Sequence, residues 1–128
     1  MTEQKSKPKI SPAHEKILQD KYAHIRAAVR FKQSDDWRWM EGMLTFAGKR
    51  VRDVDNVDAD AIPNLFDPAT VGCIYSLIRE IRKAYVYVEK VGNYYVAHEV
   101  YDASRMKHSY EVTTEVEALL TVFEEGAF

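Results

Sequence analysis

Residues 85–101 read YVYVEKVGNYYVAHEVY. Two runs rich in Val and Tyr, Tyr85 to Lys90 and Tyr94 to Tyr101, flank the turn signal Val91-Gly92-Asn93. Alternation of this kind around a short turn is the pattern of a β-hairpin. Towards the N-terminus, Asp67-Pro68 places a capping residue before a proline, which suits the opening of a helix. Val71, Ile74, Tyr75, Ile78 and Ile81 follow at helical spacing, widened by Cys73 and Leu77. A well-buried helix is therefore expected to about Lys83. Towards the C-terminus, Asp102 to Ser109 reads as a polar loop and Tyr110 to Val112 as a short third strand. Thr114 and Glu117 have the T-x-x-E spacing of a capping box, which would satisfy two free backbone donors. Val116, Leu119, Leu120 and Phe123 form the apolar face of a closing helix.

The N-terminal half reads as mainly helical. Ser11-Pro12 opens a first helix, and Leu18, Tyr22, Ile25 and Val29 make one stripe of it up to about Phe31. Ser34, Asp35 and Asp36 would cap a second, short helix carrying Trp37, Met40 and Leu44, with Ala47-Gly48 as its stop. Lys49 to Asp55 reads as a further strand, and Asn56 to Phe66 as an acidic, turn-like stretch around Pro63. The expected fold is α+β: helices packed on a small antiparallel sheet of two to four strands. The order is helix, helix, optional strand, helix, strand, strand, optional strand, helix. Residues 11–128 would form this single domain. Residues 1–10, with Lys5, Lys7, Lys9 and Pro8, read as a flexible tail.

Composition excludes several classes. With 128 residues and 46% hydrophobic content the chain can bury a core without metal or disulfide support, and its one cysteine cannot make an internal disulfide. No apolar run is long enough for a membrane-spanning helix, and MTEQKSKPK lacks the apolar centre of a signal peptide. A cytoplasmic setting without membrane contact is the expectation. None of the four histidines has the helical spacing of a metal site, and the run Asp53, Asp55, Asp58, Asp60 lacks the Gly and closing Glu of a calcium loop. Neither a nucleophile elbow nor a phosphate or dinucleotide glycine pattern occurs. No metal, cofactor or catalytic residue is therefore expected, and the chain reads as a non-enzyme. Cys73 falls on an apolar helix face, where a thiol stays protonated and inert.

Two groups of residues remain as candidates for binding. The net charge of −2 conceals an asymmetry, because residues 1–52 carry 12 Lys+Arg against 6 Asp+Glu and residues 53–128 carry 6 against 14. Trp37, Arg38, Lys49, Arg50 and Arg52 form a candidate basic surface in the first half. Stacking aromatics beside cations suit nucleic acid, which makes a nucleic-acid-binding regulator the first alternative reading. By alternation, Tyr85, Tyr87, Tyr95 and Tyr101 are expected on the sheet face opposite Val86 and Val88. If only one face meets the helices, the other carries tyrosines suited to a protein interface. The alternative is that helices cover both faces. A small, nucleotide-like ligand in a tyrosine-lined pocket is a further reading. Self-association to a homodimer through the first helix is another, since its stripe is coiled-coil-like.

The segment Asp67–Glu80, DPATVGCIYSLIRE, resembles a segment of small proteins encoded in phage and prophage genomes. In those a helix likewise opens with Asp-Pro and continues through a Gly and small or apolar residues to Arg-Glu. A strand hairpin and a Thr-capped terminal helix follow. The resemblance covers the last half of the chain and leaves out the first helix and the WRW stretch. It carries over no catalytic residues. It implies a viral accessory protein that binds and blocks a host protein complex, such as a defence system.

Overall fold

In a computed structural model, which describes residues 11–125, the fold is α+β. Helix α1 spans Pro12–Gln33, α2 spans Pro68–Arg82 and α3 spans Glu115–Glu125. Strands β1 (Tyr85–Val91), β2 (Tyr94–Asp102) and β3 (Arg105–His108) form one antiparallel sheet in the order β1-β2-β3. The expected tail at residues 1–10 lies outside the described residues.

The capping chemistry read from the sequence accounts for the helix starts. Ser11 Oγ accepts from His14 N at 3.1 Å, and Asp67 accepts from the Thr70 backbone at 3.0 Å. Lys83, in the left-handed region at φ 54°, ends α2. Thr114 Oγ1 accepts from Glu117 N at 3.2 Å. The reciprocal half of the expected box is replaced: the Glu117 carboxylate accepts from the Thr113 and Thr114 hydroxyls at 2.8 and 2.9 Å. Gly92, at φ 63°, takes the left-handed position of the two-residue turn that pairs Val91 with Tyr94.

The core lies between one face of the sheet and the three helices of the described residues. Val86 and Ala97 from the sheet meet Ile74, Leu77 and Ile78 of α2 and Leu119, Val122 and Phe123 of α3. Helix α1 packs on α3, where the Phe31 and Phe123 rings lie 5.1 Å apart. Its buried residues are Ala23, Ala27, Ala28 and Phe31, whereas Tyr22 of the expected stripe is 57% exposed. Alanines let two helices approach closely but add little to a hydropathy pattern, so the larger residues on the other side dominated the reading. Two arginines of α2 tie the layers together. Arg79 donates to Val86 O at 3.1 and 2.8 Å. Arg82 donates to Val122 O and Phe123 O at 3.0 Å, satisfying carbonyls at the end of α3.

Three expectations are corrected. No helix carries Trp37, Met40 and Leu44; residues 34–50 are turns and isolated bridges. Gly42 at φ 99° and Gly48 at φ 98° reverse the chain, and a left-handed residue between Met40 and Leu44 breaks any helix there. The strand expected at Lys49–Asp55 shrinks to one bridge, Leu44 with Arg50, and Thr45 bridges to Pro63 on the other side. Further on, β3 occupies Arg105–His108, inside the expected polar loop. Of the strand expected at Tyr110–Val112, only Val112 forms a bridge, to Tyr95.

Candidate functional site

The helices pack on a single face of the sheet, and the hairpin register decides which residues the other face carries. Tyr85 pairs with Val100, Tyr87 with His98, Glu89 with Val96 and Val91 with Tyr94. On the other side of β2, His98 pairs with His108 and Val100 with Met106. Paired residues project to the same side of a sheet. These ten side chains therefore share one face, opposite the buried Val86 and Ala97.

That face is open. Tyr85 is 57% exposed, Met106 49%, Tyr94 46% and Val91 44%. The Arg79 guanidinium lies 4.6 Å from the Tyr85 ring centre, fixing the ring at the rim, and Tyr85 and Tyr87 lie 5.7 Å apart. Tyr95, expected on this face with Tyr85 and Tyr87, is instead on the helix side. It pairs with Lys90, in step with Val88–Ala97 and Val86–Glu99, and packs against the core. Tyr101 is half-buried at the end of β2, where its hydroxyl donates to the Glu99 carboxylate and Arg105 lies over its ring. That hydrogen bond raises the Tyr101 pKa above its ordinary value. A two-residue turn exchanges parity, so odd positions of β1 share a face with even positions of β2.

At the centre of the open face lies a polar cluster. His98 is only 9% exposed although none of the described helices covers it. The Tyr87 ring stacks on it at 4.7 Å, and its Nε2 lies 2.9 Å from Glu89 Oε1. Its Nδ1 lies 2.8 Å from Nδ1 of His108. Met106 and His108 lie within Asp102 to Ser109, whose loop-like composition hides strand β3. The His98–Glu89 pair was legible only as two residues of complementary chemistry on adjacent strands.

The basic candidates divide. Lys49, Arg50 and Arg52 line an open cavity of about 610 Å³ with Phe46, Val57 and Ile62. Asp53, Asp58 and Asp60 line the same cavity. Arg50 is held by Asp67 at 2.7 and 3.4 Å and by Gly42 O at 3.0 Å. Arg38 pairs with Glu80 of α2 instead. Trp37 is half-buried against Phe31 and Trp39 at 6.1 and 5.4 Å, so it serves the core. Cys73 of α2 is half-buried, and desolvation pushes its thiol pKa up. Among the described residues no set of three or more His, Cys, Asp or Glu side chains is placed to hold a metal ion, and no helix is long and apolar enough to cross a membrane.

Comparison of the chain with protein-family models, with curated proteins and with solved structures finds no match.

Proposed function

We propose that the protein is a non-enzymatic binding module that engages a partner protein with the open face of its sheet. The observation that carries this reading is the row of exposed apolar and aromatic side chains there: Tyr85, Val91, Tyr94 and Met106. Tyrosines offer a large contact area for little loss of side-chain freedom, and methionine is enriched beside them at interfaces. The resemblance to phage and prophage proteins supports a host protein or complex as the partner, and inhibition as the outcome. The nucleic-acid reading has less to support it. Arg38 and Arg50 are matched by Glu80 and Asp67, and three aspartates line the cavity beside Lys49 and Arg52.

The test is capture from nuclease-treated host lysate, comparing the native chain with the double variant Tyr85→Ser, Met106→Ser and with Lys49→Glu, Arg52→Glu. A stoichiometric protein lost only with the first variant, whose unfolding midpoint is unchanged, supports the proposal. Capture that ignores the first variant and fails with the second overturns it in favour of the cavity. A second reading rests on that cavity, whose Phe46, Val57 and Ile62 side chains stand beside Lys49 and Arg52. It would suit a small ligand with an apolar body and an anionic group. A rise in melting temperature with nucleotides or aromatic acids, lost in Lys49→Glu, Arg52→Glu, tests it.

A further inference from the structure

We propose that His98 and His108 form a pH-operated clasp between β2 and β3, opened by acid, so that the open face of the sheet changes shape and charge with pH. The two Nδ1 atoms lie 2.8 Å apart, with the rings nearly perpendicular at 85°. Two ring nitrogens this close need one donor and one acceptor, hence a single hydrogen between them. That condition is met when the pair is neutral and equally when it carries one charge. With both rings charged, each Nδ1 bears a hydrogen and neither can accept. The second charge therefore breaks the bond and sets two cations against each other across the gap.

The two rings have different surroundings. His98 sits on the central strand, with its Nε2 2.9 Å from Glu89 Oε1 and the Tyr87 ring stacked on it at 4.7 Å. A charge there has a counter-ion and an aromatic face. His108 is exposed on the edge strand β3, whose other charged side chains, Arg105 and Lys107, are cations. Asp102, at the end of β2, already accepts from Arg105 at 2.9 Å. The remaining side chains around the pair on this face, Val96, Val100 and Met106, carry no charge, and none of the described helices packs on it.

The strand that the clasp holds is a weakly held one. β3 has four residues, all of them exposed, and its register with β2 shifts between Val100 and Asp102. Beyond it, Ser109 is anchored without help from either ring: its N–H donates to Ala97 O at 2.9 Å, and its Oγ accepts from Ala97 N at 2.9 Å. Opening is therefore confined to Arg105–His108. Met106 belongs to the exposed row and to β3, so it moves with the strand. Acid would thus weaken docking on this face by displacing Met106 and adding positive charge beside it. That consequence rests on the docking reading, whereas the clasp does not.

The clasp is tested on the isolated chain, without a partner. Amide hydrogen exchange is measured at about pH 8 and about pH 5, which bracket the range in which imidazoles take up protons, and is corrected for the intrinsic rate at each pH. Protection of the amides that bridge β2 and β3 should fall at least about tenfold in acid, while the β1–β2 amides keep theirs. His108→Gln, at an exposed position, offers His98 either an amide hydrogen or an amide oxygen and does not titrate. In that variant the acid loss should vanish. His14→Ala, His24→Ala, on α1, should leave the loss as it is in the native chain. Protection of β3 that is equal at both pH values, a loss that persists in His108→Gln, or a loss shared equally by the β1–β2 amides overturns the proposal.

Discussion

Residues 34–66 bury Met43, Val51 and Leu65 about as completely as residues 67–101 bury Ile74, Leu77 and Val86. The later segment does so with a helix and a hairpin, whose backbone groups are mostly satisfied within the elements. The earlier one has only isolated bridges and turn hydrogen bonds, such as Gly42 N to Val51 O and Phe46 N to Ile62 O, and anchors from outside add to them. Leu44 N donates to Thr70 Oγ1 at 2.8 Å, and Lys32 Nζ donates to Ala59 O and Ala61 O at 2.8 Å. A regular segment announces itself by periodicity, whereas an irregular one combines its own non-repeating backbone hydrogen bonds with side chains from elsewhere in the chain.

The largest effects test whether the two segments share one core. Leu77→Ala should cost about 3 kcal/mol in denaturant unfolding, and Met43→Ala about 2–3 kcal/mol, because both side chains are fully buried. Both variants should shift a single transition. A separate early transition in Met43→Ala would mean that residues 34–66 melt on their own, and would break the equivalence.

Next in size is the anchor between them. Thr70 is completely buried, accepts from Leu44 N and donates to Asp67 Oδ2 at 2.9 Å. Thr70→Val keeps the shape of the side chain and strands the Leu44 donor, at a cost of about 1–3 kcal/mol. Hydrogen exchange should quicken at Leu44 and its neighbours while the hairpin amides stay protected. Uniform quickening would show that Thr70 acts only through α2.

The contrast explains what was legible in the sequence. Asp67-Pro68, the α2 periodicity and the Gly92 turn are local signals, and each element they mark is present. The stripe through Trp37, Met40 and Leu44 is also local, but Gly42 between them adopts a backbone that ends a helix. Strand β3 was hidden because Arg105 and Lys107 bear charges suited to an exposed edge and look like loop residues. The open face was half legible. Alternation separates Tyr85 and Tyr87 from Val86 and Val88, but the parity exchange at the turn sends Tyr95 inward. The histidine pair required the β2–β3 register, which no local pattern specifies.

A smaller effect depends on pH. Hydrogen bonding from Arg50, then from Thr70, holds the Asp67 carboxyl below the usual carboxylate range. A depressed folded-state pKa means stability that is present above that range and fades as pH falls through the lowered value. Arg50 is 44% exposed, so the ion pair is worth under about 1 kcal/mol. Asp67→Asn retains a good cap for α2 and removes the charge. The variant should be slightly less stable than the native chain at pH 7, and the gap should close as pH falls below the ordinary carboxylate range. A gap that persists in acid would assign the effect to the cap instead of the charge.

The last pair of effects separates the segments by sign. Gly42 and Gly72 each have open space where a Cβ would stand, so a methyl group meets no steric obstacle at either. Gly42 sits at φ 99° in the irregular segment, and Gly72 lies within α2. Gly42→Ala forces an L side chain into a backbone region it avoids and should destabilise by about 1–2 kcal/mol. Gly72→Ala removes a flexible residue from a helix and should stabilise by about 0.5–1 kcal/mol. Because neither change alters packing, the two unfolding midpoints report backbone conformation alone. If Gly42→Ala proved neutral, the turn would have an alternative conformation open to any residue, and the anchors from Lys32 and Thr70 would hold residues 34–66 without help from the glycine.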